Sequence, residues 1–113
     1  MSLFSLRTQY TAESLQALIN EPVDRSEAVR TALDAVDGKL ISAYTTGGGN
    51  QQGSLIIYDV PDSTAQAAFV AALTASGALV NIDSQRLYNP EETVNNLRKA
   101  QAVQRAYQSP IRR

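Results

Sequence analysis

Six side chains in this chain could bind a small molecule if the fold brought them together: Arg7, Gln9, Tyr44, Tyr58, Ser84 and Arg86. Arg7 and Arg86 lie on strand-forming segments, where a long cation between apolar neighbours needs a reason. They serve either as rim charges paired with Asp59 or Asp83, or as a clamp for an anion or carboxylate. Gln9 and Ser84 could hydrogen bond a carbonyl, and Tyr44 or Tyr58 could pack against an apolar part of the same ligand. Proton chemistry is harder to place. The chain has no His and no Cys. That excludes a Ser-His-Asp triad, an imidazole base, a thiolate nucleophile, a zinc–thiolate site, a disulfide and histidine-ligated haem. Asp83, or a Tyr activated by Arg, would have to act as base, so no catalytic residue is assigned. The eleven Asp and Glu are scattered and several read as helix caps. No metal and no cofactor are therefore expected.

The elements that must position these residues follow from hydrophobic periodicity. At 113 residues the chain suits one compact domain. Residues 3–10 alternate: Phe4, Leu6, Thr8 and Tyr10 share an apolar face, and Ser5, Arg7 and Gln9 share a polar one. Thr11 caps a helix over 12–20, which Pro22 ends. Asp24 with Glu27 suggests a capping box for a second helix that closes at Gly38. Residues 39–46 read as a strand, followed by the permissive GGGNQQG stretch at 47–53. That stretch lacks the spacing of either nucleotide fingerprint and reads as a hairpin loop. Residues 54–60 are apolar on both faces, Asp62 caps the helix that follows, and a strand covers 79–87. Asn89, Pro90 and Glu92 open a C-terminal helix that runs to about Tyr107.

The order is β-α-β-β-α-β plus a C-terminal helix. Right-handed crossovers turn it into an α+β, ferredoxin-like, four-stranded antiparallel sheet with helices on one face. Residues 54–60 then present Leu55 and Ile57 to one side and Ile56, Tyr58 and Val60 to the other. An uncovered apolar sheet face marks an interface, so a homodimer packed sheet to sheet is expected. Ser5, Arg7 and Gln9 would make that seam partly polar, with Arg7 and Gln9 deeply buried and Ser84 and Arg86 nearby. No apolar run approaches the ~20 residues of a membrane span, and the first residues lack a signal peptide's pattern. A cytoplasmic protein is expected.

Charge is lopsided. The net charge is −1, yet residues 94–113 carry Arg98, Lys99, Arg105, Arg112 and Arg113 and no acid. Five spread charges fall short of a nucleic-acid stripe. They suggest a division into a core domain, 1–93, and a basic C-terminal helix and tail, 94–113.

Tyr10-Thr11, GKLISAYTT at 38–46, VPD at 60–62 and SQRLYNPEE at 84–92 together resemble the GYD-domain family of the dimeric α/β-barrel superfamily, over roughly residues 3–93. The resemblance implies a dimeric α/β barrel. It departs at the segment that names the family, where Gln52 and Gly53 stand at the Tyr and Asp positions; whatever that pair does in relatives does not carry over. The superfamily includes cofactor-free oxygenases, isomerases, haem proteins and pure binding modules. Three functions follow, in this order: a module binding a small anionic or carbonyl-bearing ligand inside the barrel; an assembly module docking a partner through its basic helix; a cofactor-free enzyme on a small metabolite.

Overall fold

The computed structural model describes residues 1–48 and 52–111. The tip of the glycine-rich loop and the last two arginines lie outside them. Eight elements follow one another: β1 (Ser2–Tyr10), α1 (Ala12–Asn20), α2 (Ser26–Asp34), β2 (Lys39–Thr46), β3 (Gly53–Val60), α3 (Ser63–Ala75), β4 (Leu79–Leu87) and α4 (Pro90–Ala106). The strands form one antiparallel sheet in the order β2-β3-β1-β4. Crossover connections place β1 and β3 at the centre, as the ferredoxin-like order requires.

Alternation decides which residues meet the helices. Leu6 of β1, Leu33 of α2, Ile56, Tyr58 and Val60 of β3, and Ala65 and Phe69 of α3 form the core. Tyr58 stacks against Phe4 with ring centroids 5.9 Å apart and meets Phe69 at 4.9 Å in a tilted arrangement. The other set of β1 and β3 side chains points to the uncovered side of the sheet.

Local capping is as the sequence suggests at three helices. Thr11 Oγ1 accepts from Ser14 N–H at 3.1 Å, and Asp62 Oδ1 from Ala65 N–H at 2.8 Å. Asn89 and Glu92 exchange side chain and backbone bonds of 2.8 and 3.1 Å, a full capping box. The fourth cap differs. Asp24 and Glu27 form no box: Asp24 Oδ1 accepts from Ser26 N–H at 2.9 Å, while Glu27 pairs with Arg30. The N-cap position is Arg25, one residue too late for the Asp24 side chain to reach the third N–H. The end of α2 also differs. Asp37, at φ 57°, takes the left-handed turn, and Gly38 N–H bonds to Leu33 O at 2.8 Å. Gly38 is small for another reason: a Cβ there would lie 3.0 Å from Asp59 O and 3.1 Å from Leu33 and Val60.

Two bulges interrupt the alternation. One shifts β1 against β4 between Arg7 and Gln9, with Asn81 at φ 53° as the extra residue. The other shifts β2 against β3 between Leu40 and Ser42. α4 is set apart from the rest. None of its residues is buried, and the radius of gyration is 17.9 Å, where a compact chain of this length gives about 13 Å.

Gly53 sits where β3 crosses β1 most closely. A Cβ there would come within 1.8 Å of Thr8 O, whereas one at Gly47 would meet nothing. Gly53→Ala is expected to lower unfolding free energy by about 2 kcal/mol or more, and Gly47→Ala to leave it nearly unchanged. Urea midpoints of the two variants check this.

Candidate functional site

The six residues singled out from the sequence fall on two sides of the sheet. Cross-strand partners share a face. Arg7 stands opposite Leu55 and Asp83, and Leu55 opposite Tyr44, so Tyr44, Leu55, Arg7 and Asp83 form one row across the uncovered face. Gln9 lies on that face beyond the bulge and accepts from Asn81 Nδ2. Tyr58, Ser84 and Arg86 point to the helices instead. The two guanidiniums therefore do not converge on one pocket within the chain. The polar side chain that the chain itself buries is Thr8, at 2% exposure, while Arg7 is exposed and Gln9 half-buried.

Each of the three on the helical side has partners. Tyr58 donates to Gln66 Oε1. Gln66 Nε2 donates to Ser84 Oγ at 2.7 Å, and Ser84 donates to Ser5 O at 3.2 Å. This relay crosses the core from β3 through α3 to β4 and β1 with every polar atom used. Burial pushes the Tyr58 hydroxyl above its ordinary value; its bonds to Ser84 and Gln66 oppose that only in part. Arg86 donates to Leu3 O at 3.3 Å and to Leu87 O, pairs with Glu92 at 2.9 Å, and lies 4.7 Å from the Tyr88 ring centroid. The capping bond from Asn89 N–H, then the bond from Arg86, hold the Glu92 carboxyl below its usual value. Arg86 fastens the start of α4 to the sheet, which accounts for a cation on this strand.

A cavity opens elsewhere, between α1, α2 and the helical face of the sheet. It measures about 330 Å³ and is walled by Leu6, Leu18, Val29, Ile56, Leu73 and Leu79. Its polar groups are few: the hydroxyls of Thr8, Ser14 and Ser54, Tyr10, Ser76 and, at the N-cap of α2, Arg25. Thr8 Oγ1 and Ser54 Oγ bond each other at 2.8 Å. One bond between two hydroxyls leaves one hydrogen to offer elsewhere. A second hollow of about 320 Å³ adjoins it, sharing Tyr10, Arg25, Val29, Ser54 and Ile56 and adding Asp24, Arg30 and Tyr44. Asp24 is committed to a local turn ahead of α2: its bonds to Ser26 hold its carboxyl below the ordinary value.

Alternation puts Thr8 on the apolar face of β1, where its hydroxyl needs a partner. The partner, Ser54, is directly opposite in the β1–β3 register, a pairing visible only once that register is known. Among the described residues, no group of three or more Asp and Glu gathers closely enough to hold a metal ion, and no helix is long and apolar enough to cross a membrane.

Comparisons with known proteins agree with this architecture. A sequence profile described as GYD domain matches residues 4–97. A search of curated proteins found no match. Among solved structures, 5-chloro-2-hydroxyhydroquinone dehydrochlorinase from Burkholderia phenoliruptrix superposes with a TM-score of 0.54 at 20% identity, covering 79% of this chain and 96% of that one. The C-terminal domain of the MgtC protein from Mycobacterium tuberculosis gives 0.56 at 12% identity, over 77% and 88%. A 30S ribosomal subunit protein from Thermotoga maritima gives 0.55 at 14%, over 88% and 97%. These likenesses are of fold.

The relay makes an alkaline prediction. Tyr58 has a raised folded-state pKa, so its contribution to stability is complete below about pH 10 and is lost as pH rises through the raised value. Tyr58→Phe should leave Gln66 Oε1 without its donor and cost about 1–2 kcal/mol at pH 7. It should also flatten the loss of stability above pH 10 relative to wild type. Urea unfolding between pH 7 and 11 measures both.

Proposed function

The chain belongs to the GYD domain family, and from that premise we propose that it is a small-molecule-binding module whose ligand sits in the cavity under α1 and α2. The cavity carries the reading. Its volume of about 330 Å³ falls in the range of ligand sites, and mostly apolar walls with a few convergent polar groups are their usual composition. The ligand class follows from those groups. Arg25 offers a cation at the mouth, and the Thr8–Ser54 pair offers one hydrogen from the floor. A small, mainly apolar molecule carrying a carboxylate or carbonyl satisfies both. Asp24 is engaged by the Ser26 N–H, so the site favours binding over proton abstraction.

The uncovered sheet face supports a second part of the reading, a homodimer packed through it. Leu3, Leu55, Ile57 and Leu87 lie on that face by register. Its charges are balanced row by row: Arg7 stands opposite Asp83, and Lys39 opposite Asp59. A face whose charges are mutually neutral can be brought against its own copy without repulsion. In such a dimer Arg7, Gln9 and Tyr44 line the seam between the two sheets.

Two measurements test these parts separately. The dehydrochlorinase of similar fold was solved with 2,5-dihydroxybenzoquinone, so dihydroxylated rings join small aromatic carboxylates and carbonyl compounds in a thermal-shift panel. A hit is expected to weaken at least tenfold in Arg25→Ala and to lose affinity in Thr8→Val, while Arg7→Ala leaves it unchanged. A shift that survives the first two and disappears with Arg7→Ala moves the site to the seam. Light scattering at micromolar concentration should give at least twice the chain mass of 12.2 kDa, and Ile57→Asp should break the sheet-to-sheet contact and lower that mass.

A further inference from the structure

α4 is a helix of 17 residues, about 26 Å long, and among the described residues no element packs closely along it. Val94, Leu97, Val103 and Tyr107 are between 46% and 65% exposed. At about 3.6 residues per turn, these four fall on one half of the helix surface. The other half takes every charge, Glu91, Glu92, Arg98, Lys99 and Arg105; by the same spacing Arg98 and Arg105 border Val94 and Lys99 borders Val103, so the bases rim the apolar half. An amphipathic helix whose apolar half is in water implies a partner surface. The helix is also held ready. The Asn89–Glu92 box caps its start, and Arg86 ties Glu92 to the backbone of β1, so little orientational freedom remains to be lost on docking.

We propose that α4 is a docking arm whose apolar half seats on the outer surface of α1 and α2 of a second copy of this chain. Two features of that surface match the arm. Residues 11–37 carry six acids, Glu13, Glu21, Asp24, Glu27, Asp34 and Asp37, against two bases, Arg25 and Arg30, whereas α4 beyond its first turn carries only bases. Ile19 and Val23 of the same region are 63% and 54% exposed, although the helical spacing of α1 groups Ile19 with the half-buried Leu15 and Leu18. Basic arm and acidic surface thus each carry stranded apolar side chains, and docking would cover both sets. A lipid surface fits less well, because Asn96, Gln101 and Gln104 interrupt the apolar half. The contact is separate from the sheet-to-sheet seam, since α1 and α2 lie on the opposite face of the sheet.

The native chain has no Cys, which makes cross-linking clean. Full-length Leu97→Cys protein is mixed with full-length Ile19→Cys, Val23→Cys or, as control, Gln85→Cys, and treated with a short bismaleimide. The same mixtures are repeated in an Ile57→Asp background, which removes the sheet seam. Expected is a covalent heteropair with Ile19→Cys and Val23→Cys in both backgrounds, reduced severalfold at 1 M salt or by Arg98→Glu with Lys99→Glu, and little product with Gln85→Cys. Product with Gln85→Cys alone would mean that the arm covers the open sheet face and would overturn the proposal. So would the absence of any heteropair, whether or not the protein co-sediments with anionic phosphatidylserine vesicles.

Discussion

β3 is apolar on both faces, and one layer of helices can cover only one of them. Ile56, Tyr58 and Val60 are buried under α2 and α3, while Leu55 and Ile57 emerge on the other side. Each such side chain gains roughly 1.5–3 kcal/mol when removed from water. β3 sits second in the order β2-β3-β1-β4, so its uncovered residues are flanked by strands on both sides and cannot turn away. The chain must either tolerate an apolar sheet face in water or place that face against another. Balanced cross-strand charges, Arg7 with Asp83 and Lys39 with Asp59, make the second course compatible with a partner of the same sequence.

The covered side meets a different constraint, since it contains polar groups that water cannot reach. They are satisfied in pairs and relays. Tyr58, Gln66, Ser84 and the Ser5 carbonyl form one, and Thr8 with Ser54 forms another. Among the described residues no buried side-chain nitrogen or oxygen is left without a partner, as low local polarity demands. The Thr8–Ser54 pair differs from the relay in bordering a cavity. Its unused hydrogen is one of the few polar features of the cavity wall. The relay ties the sheet to the N-terminal half of α3, whereas the cavity lies between α1, α2 and the C-terminal end of α3.

Much of the architecture was legible in the residues themselves. The alternation in β1, the two-sided apolar run in β3, and the Thr11, Asp62 and Asn89–Pro90–Glu92 signals place strands and helices to within a residue or two, because those signals are local and additive. The order of elements then restricts the topology, since crossover handedness leaves few arrangements. Absence of His and Cys excluded whole classes of chemistry for the same reason: composition does not depend on folding.

Which side chains share a space depended on register, and register is a tertiary quantity. Arg7 and Arg86 look alike in sequence, each on a strand, yet one faces the open side and the other fastens α4 through Glu92. The bulge at Asn81 shifts the pairing so that both Val80 and Asp83 lie opposite open-face residues of β1, a change that alternation cannot anticipate. Ser54 stands beside Thr8, and Arg25 beside a cavity, only because chain segments far apart in sequence are brought into contact. Local periodicity therefore determined the elements and the two-sided character of β3. Long-range pairing decided where the cavity is, because a one-residue slip between strands moves every side chain to the opposite face.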